Sequence, residues 1–139
     1  MAGYRLERTI DLHIDAVWAL LANFRQSPIK GMDLVVEKPG DAKNYDVGLI
    51  RRVTIGRMTV REVIEAVEPK ELIRYRVLSG APVRDYVGTV RLHADNSKTR
   101  IEWTATMEPV VPLTGFLTAQ ISRNVVAGIL DKFEAQHAR

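Results

Sequence analysis

The feature that most constrains the fold is a succession of alternating apolar and polar runs from Gly48 to Glu108. Three turn signals separate these runs, namely Gly56-Arg57, Pro69-Lys70 and Asn96-Ser97. Alternation with a period of two is typical of strands that have one covered and one solvated face. The region therefore predicts an antiparallel meander. Glycine at the first central position favours a type II′ turn at Gly56.

The three turns also predict which residues lie opposite one another across the sheet. At the first turn the predicted pairs are Ile55–Met58, Val53–Val60, Arg51–Glu62 and Leu49–Ile64. At the second turn they are Val67–Leu72, Ala66–Ile73, Ile64–Tyr75 and Glu62–Val77. At the third turn they are Leu92–Ile101, Val90–Trp103, Gly88–Ala105 and Tyr86–Met107. These registers bring the apolar residues onto one face, whereas a slip of one residue would scatter them over both. On the other face they set Glu65 beside Arg74 and Arg91 beside Glu102, which are opposite charges.

The segment before the meander predicts a strand followed by short helices. The sequence alternates from Tyr4 to Leu12, and Asp15 is a suitable N-cap for a helix over 16–23. Pro28 interrupts the next segment, so residues 24–30 form a turn or a second short helix. Residues 34–37 are expected to form one more strand.

After the meander, the stretch from Leu113 to about Gln136 contains no proline and predicts a long C-terminal helix. Its first half carries an apolar stripe, into which two polar residues fall. The stripe consists of Leu113, Phe116, Leu117 and Ile121, together with Gln120 and Asn124. A polar residue in a buried stripe needs a partner, and a cavity that holds water or a ligand supplies one.

Composition narrows the class of protein. The 139 residues suffice for one domain, which we expect to span 1–139, and they include no cysteine. This excludes a disulfide framework, a thiolate zinc site and a cysteine nucleophile, and it favours a reducing compartment. The first residues lack the apolar run of a signal peptide, and no stretch approaches the ~20 apolar residues of a membrane span. We therefore expect a cytoplasmic protein without stable membrane insertion.

Several kinds of site are not predicted. The histidines His13, His93 and His137 are isolated, so we expect no metal site, and no phosphate-binding glycine loop or other cofactor motif occurs. The net charge of +3 comes from 20 basic residues scattered among 17 carboxylates, so we expect no nucleic-acid partner. The sequence leaves the oligomeric state open, a homodimer included.

The covered face of the meander holds the candidate site. It is apolar apart from Arg51 and Glu62, which the first hairpin makes direct neighbours. A charge away from water is tolerated only when paired, so the pair either fixes the strand register or provides polar contacts inside an apolar cavity. We select ten residues as candidate ligand contacts: Arg51, Glu62, Tyr75, Tyr86, Val90, Trp103, Met107, Phe116, Gln120 and Asn124.

The order of elements is that of the α+β helix-grip fold, in which a curved antiparallel sheet of about seven strands surrounds a long C-terminal helix. The sequence resembles the SRPBCC or START-like superfamily, which includes the polyketide cyclase/dehydrase proteins. The resemblance lies in residues 14–21, Gly48 with Arg51, 60–63, Leu72 with Tyr75, Gly88, 99–103 and Glu108-Pro109. It implies two short helices after the first strand and a cavity between sheet and helix.

Three functions are consistent with these residues. The first is a binder or carrier of a small hydrophobic molecule such as a lipid, polyketide or isoprenoid, because the covered face is mostly apolar. The second is a cyclase of the aromatase type, in which Arg51 orients a carbonyl or enolate and Glu62 or a tyrosine moves protons. A carboxylate paired with arginine is, however, a poorer base. The third is a cochaperone-like or regulatory interaction module that uses the basic outer face.

Overall fold

The computed structural model describes all residues from 1 to 139, and a single antiparallel sheet dominates it. The strands are β1 (Ala2–Ile10), β2 (Met32–Lys38), β3 (Ile50–Ile55), β4 (Met58–Glu68), β5 (Leu72–Ser79), β6 (Val83–Asp95) and β7 (Lys98–Pro109). The α-helices are α1 (Ile14–Leu21) and α2 (Gly115–His137), and a single 3₁₀ turn covers Ala42–Asn44. None of the helices is long and apolar enough to cross a membrane.

The strands follow the order β1-β7-β6-β5-β4-β3-β2, so the first strand pairs with the last and every other neighbour is consecutive. The sheet is curved, and α2 lies against it. This confirms the predicted α+β class and the helix-grip architecture with seven strands.

Glycine fixes the first hairpin as predicted. Gly56 has φ +59°, and the residues on either side pair in the expected register, including Arg51 with Glu62. The third turn also holds the predicted register from Leu92–Ile101 to Gly88–Ala105. Arg91 lies opposite Glu102 on the outer face, as expected.

Close to the second turn, the register predicted from the sequence is wrong by one residue. The connection has three residues, with Lys70 in the left-handed region at φ 62°, and it pairs Glu68 with Leu72. A bulge at Glu65 then restores the predicted pairs Ile64–Tyr75 and Glu62–Val77. The predicted pairs Val67–Leu72 and Ala66–Ile73 do not form, because a three-residue turn with a left-handed residue replaces the shorter one.

A second bulge changes the predicted Tyr86–Met107 pair. Arg84 pairs with Glu108 and Val87 with Thr106, so Asp85 and Tyr86 together lie opposite Met107. Asp85 has φ 53°, a left-handed conformation. Bulges bend a strand and redirect a side chain, and here the Tyr86 side chain is buried on the inner face of the sheet.

Two details after β1 differ from expectation. The N-cap of α1 is His13, whose Nδ1 accepts a hydrogen bond from the Asp15 backbone N–H at 3.2 Å, so the helix begins earlier than predicted. Only one short helix follows β1, because residues 24–31 form turns. Pro28 supplies no N–H, and the Ser27 hydroxyl bonds with the backbone of Ile29 in place of a helical pattern.

Helix α2 runs without interruption and turns one side toward the sheet. Its buried residues are Ala119, Val126, Leu130 and Phe133, which at 3.6 residues per turn lie on one face. The predicted stripe of Phe116, Leu117 and Ile121 is exposed instead. The C-terminal half, anchored by Leu130 and Phe133, sets the rotation of the whole helix, because a continuous helix cannot turn one half independently of the other.

Two glycines with open space around them give a matched test of backbone conformation. A Cβ at Gly128, within α2, or at Gly56, in the turn, would meet no atom within 4 Å. We expect Gly128→Ala to raise the free energy of unfolding by about 0.5–1 kcal/mol, because alanine favours helix. Gly56→Ala should lower it by about 1–2 kcal/mol, because its φ is positive. Urea denaturation of both variants checks this, and equal effects would contradict it.

Candidate ligand-binding cavity

A cavity of about 240 Å³ lies between the inner face of the sheet and α2. Its 27 lining residues include 21 hydrophobic ones, which come from α1, β2 to β7, α2 and the loops between them. Helix α2 packs closely on β1 and β7 but stands off the middle strands, which leaves this space unfilled. Mostly apolar walls with a few placed polar groups are the usual composition of a small-molecule site.

An open groove of about 840 Å³ lies beside the cavity. The two share Ile55 and Met58 from the first hairpin and Val125 and Ile129 from α2. The groove and the cavity are therefore adjacent, and these side chains belong to the wall of both.

Arg51 and Glu62 form an ion pair in the cavity wall. The Nε and Nη2 atoms of Arg51 each lie 2.7 Å from Glu62 Oε1, and the two side chains are 15% and 9% exposed. Arg51 also donates from Nη1 to the Phe24 carbonyl oxygen at 3.4 Å, and its guanidinium lies 5.6 Å from the centre of the Phe24 ring. The pairing and the cation–π contact compensate the guanidinium for its loss of water.

This geometry leaves one oxygen of the carboxylate available to a ligand. Both contacts from Arg51 reach Glu62 Oε1, and Oε2 accepts no hydrogen bond from the protein. Because Glu62 lines the cavity, Oε2 is an acceptor in a mostly apolar wall.

Aromatic residues form a second polar cluster nearby. The Tyr75 hydroxyl accepts a hydrogen bond from Trp103 Nε1 at 3.1 Å, and the hydroxyls of Tyr4 and Tyr86 are 2.5 Å apart. The Tyr75 ring lies 6.2 Å from Trp103 in an edge-on arrangement and 6.3 Å from Tyr86. These contacts hold the phenols at fixed positions in the wall.

Burial keeps these phenols in their neutral form. Desolvation by burial is the main reason why the pKa of Tyr75 lies well above its usual value. Burial is also the main cause that raises the pKa of Tyr86 and of Tyr4. The negative charge of Glu62 acts on all three in the same direction. At neutral pH the cluster therefore offers hydroxyl groups that donate and accept hydrogen bonds, and no phenolate base.

The sequence profile of one family, described as "Polyketide cyclase / dehydrase and lipid transport", matches residues 1–137. The chain belongs to this family. No individual curated protein is significantly similar in sequence. Membership in the polyketide cyclase/dehydrase and lipid transport family supports the binding of hydrophobic ligands in general.

Several solved structures have the same architecture. XoxI from Bacillus cereus superposes with a TM-score of 0.79 at 17% identity, over 98% of this chain and 95% of that one. Ara h 8.0201 gives 0.71 at 15% identity, over 96% and 95%. A point mutant of norcoclaurine synthase from Thalictrum flavum, in complex with a transition-state analogue, gives 0.70 at 14% identity, over 96% and 92%. At these identities the likeness shows the fold.

Six of the ten residues selected from the sequence line the cavity of this family member. They are Arg51, Glu62, Tyr75, Tyr86, Val90 and Trp103. Met107 is 1% exposed and belongs to the hydrophobic core without lining the cavity. The meander register placed the six correctly, because it assigned each side chain to the inner or the outer face.

The three residues selected from α2 do not line the cavity. Phe116 is 84% exposed, and the Gln120 side chain donates a hydrogen bond to Asn124 on the outer side of the helix. Asn124 reaches only the open groove. Their placement was wrong because the rotation of α2 is set by its C-terminal half, and Thr118 and Ser122 line the cavity instead.

Tyr4 is a further polar residue that was not predicted from the sequence, and it lies behind the cavity wall in contact with Tyr86. It lies on β1 opposite Ala105 and reaches Tyr86 through its hydroxyl. The signal was present, because Tyr4 alternates with Leu6 and Ile10 and so faces the covered side.

The ion pair gives a first prediction about the site. Arg51→Met or Glu62→Met leaves a mostly buried charge without its partner, so each should lower the free energy of unfolding by about 3 kcal/mol. The double variant should lose less than the sum, because no charge remains. Arg61→Met, which breaks the more exposed pair with Glu37, should cost under about 1 kcal/mol. Denaturation of the four proteins measures this, and additive losses would contradict it.

Gly88 gives a second prediction, because it lies directly opposite Tyr75. A Cβ at Gly88 would collide with the Tyr75 ring, which Trp103 and Tyr86 hold in place. We expect Gly88→Ala to lower the free energy of unfolding by about 1–3 kcal/mol through overpacking. In a Tyr75→Ala background the same change should have little effect. An undiminished loss in that background would show that the collision is not the cause.

Proposed function

We propose that the protein binds a small, mostly apolar molecule in the cavity and carries it without transforming it. The observation that supports this most directly is the unfilled apolar space of about 240 Å³ beside the surface groove. At about 30 Å³ per water molecule, the space corresponds to roughly eight waters. This size suits a small apolar molecule, or one end of a larger lipid, polyketide or isoprenoid-like molecule.

The polar groups of the wall indicate the chemistry of such a ligand. Glu62 Oε2 is an acceptor, and the neutral phenols of Tyr75 and Tyr86 are both donors and acceptors. A hydroxyl or carbonyl group on the ligand would satisfy them, whereas an uncompensated anion next to Glu62 would be disfavoured. We therefore propose an apolar body with one or two neutral oxygen groups.

A cyclase of the aromatase type is the second candidate, and one observation favours it. Arg51, Glu62 and two phenols face the same cavity, as acid–base chemistry on a carbonyl substrate requires. Two features of the same groups weigh against it. The Glu62 carboxylate is already paired with Arg51, and burial holds the phenols protonated at neutral pH. The binding function needs neither proton transfer nor a free base, so we prefer it.

An interaction module that uses the basic outer face receives less support. Many arginines of that face are paired with neighbouring carboxylates, among them Arg61 with Glu37 and Arg76 with Glu65. Paired charges offer little net attraction to an acidic partner. The outer face thus resembles an ordinary sheet surface with cross-strand pairs.

The binding proposal is tested by filling the cavity from α2. Ser122 lines the cavity and lies in the middle of the helix, so Ser122→Phe projects a ring into the space. We expect the wild type to bind 2-naphthol saturably, a fluorescent naphthalene dye that is uncharged at neutral pH and carries one hydroxyl group. Ser122→Phe should weaken this binding at least about tenfold, because it removes the apolar volume. The measurement is a fluorescence titration, with native mass spectrometry to detect any retained ligand.

Ser122→Ala is the matched control, since it changes the same position without filling space. It should bind the dye like the wild type. If Ser122→Phe binds as tightly as Ser122→Ala while both remain folded by circular dichroism, the dye does not occupy the cavity. If in addition no ligand is retained and a lipid panel shows no saturable binding, the carrier function is wrong.

A further inference from the structure

An exposed apolar surface lies at the beginning of α2 and in the loop before it. Six of the ten large hydrophobic side chains that the protein exposes fall within residues 110–121. We call this set the apolar tip, and it consists of Val110, Val111, Leu113, Phe116, Leu117 and Ile121. Apolar side chains concentrated in this way mark an interaction surface, whereas single exposed ones need no explanation.

The backbone at the apolar tip is held in an unfavourable conformation. Leu113 is fully exposed, and its φ of 68° lies in the left-handed region, which is disfavoured for a residue with a branched side chain. Its side chain buries nothing within the protein, so the conformation is not explained by packing. Strained residues of this kind occur mainly where a surface makes functional contacts.

The surroundings of the apolar tip are electrostatically positive. No carboxylate occurs from Pro109 to Leu130, and the first turn of α2 has no acidic residue. Thr114 donates its hydroxyl to the Val111 carbonyl oxygen and does not cap the helix, so the first N–H groups of α2 remain free. Arg123 on the same helix makes no ion pair with a carboxylate of the protein.

Two more cations lie along the groove beside α2. Arg57 and Lys132 line the groove, which has no acidic residue in its wall, and neither makes an ion pair. The carboxylates closest in sequence to the apolar tip are already paired: Glu108 lies 3.6 Å from the N-terminal amine, and Asp131 pairs with Arg8. The tip and its borders thus combine apolar side chains with uncompensated positive charge.

We propose that the apolar tip docks on the surface of an anionic lipid bilayer. Leucine and phenylalanine side chains enter the boundary between headgroups and acyl chains, while nearby cations attract anionic headgroups. A second copy of this chain is a poorer occupant. A two-fold dimer through the tip would bring two positively charged patches into one interface, which is electrostatically unfavourable.

The position of the apolar tip relates it to the cavity. Ile121 belongs to the tip and also lines the cavity. A bilayer that contacts Ile121 would therefore lie against the wall of the cavity. An apolar molecule could then pass between bilayer and cavity without crossing much water.

The experiment is sedimentation of the full chain with vesicles. We expect binding to phosphatidylcholine vesicles that contain 30% phosphatidylserine, weaker binding to phosphatidylcholine alone, and loss of the difference at high salt. The double variant Leu113→Ser/Phe116→Ser should bind the anionic vesicles at least about tenfold more weakly. Val35→Ser is the matched control, because Val35 is an exposed hydrophobic residue on the distant strand β2, and it should bind like the wild type.

Three results would overturn the proposal. The first is wild-type protein that stays in solution with anionic vesicles at low salt. The second is a double variant that binds as well as Val35→Ser. The third is concentration-dependent dimerisation, measured by analytical ultracentrifugation, that the double variant abolishes while vesicle binding is absent. Dye binding in the cavity should be unaffected in the double variant, so failure here is distinguishable from failure of the carrier function.

A fluorescent reporter at the tip tests insertion into the bilayer directly, without relying on a variant that loses binding. Phe116→Trp places an indole at the exposed position, and Trp18 and Trp103 in the wild type give the background. With anionic vesicles that contain lipids brominated on the acyl chains, this variant should show quenching well beyond that of the wild type. Equal quenching in the two proteins would show that the tip does not enter the bilayer.

Discussion

The sheet is much wider than the single helix α2 that packs on it, and the architecture depends on this difference in width. Seven strands at about 4.8 Å spacing make a sheet roughly 30 Å across, whereas one helix with its side chains is about 10–12 Å wide. A single helix cannot cover a flat sheet of that width, so the sheet curves around α2. Contact is close only at β1 and β7, and the middle strands face unfilled space. The cavity is thus a consequence of the architecture, and the side chains decide its character.

The chemical character of the cavity depends on how the few polar groups in its wall are compensated for the loss of contact with water. Arg51 is neutralised by Glu62 and lies against the Phe24 ring, and the phenols are held neutral mainly by burial, with a contribution from the charge of Glu62. Groups arranged in this way are suited to hydrogen bonding with an oxygen-containing group of an apolar ligand. They are less suited to proton transfer. The same arrangement that stabilises the wall therefore limits its chemistry, which is why we place binding before catalysis.

Helix α2 performs two tasks because it is rigid. Leu130 and Phe133 anchor its C-terminal half, and this rotation turns Thr118 and Ser122 into the cavity. The apolar residues of its first half are turned outward by the same rotation. A helix with apolar residues on two sides closes the cavity with one side and leaves the other for an external surface. The same rotation of the helix therefore exposes Phe116 and buries Phe133.

Most of the sheet could be predicted from the sequence, because the period of two and the turn residues are local signals that assign each side chain to a face. This applies to the Arg51–Glu62 pair and to Val90 opposite Trp103. The bulges at Glu65 and Asp85 were not predictable, since each depends on how two strands and a turn fit together. Nor was the rotation of α2, because Phe116 and Phe133 are equally apolar and only packing against the sheet distinguishes them. The sequence alone determined the fold, the inner face of the meander and its one ion pair. The tertiary structure decided which face of the helix met that surface and how much space remained between them, because both depend on contacts between distant segments.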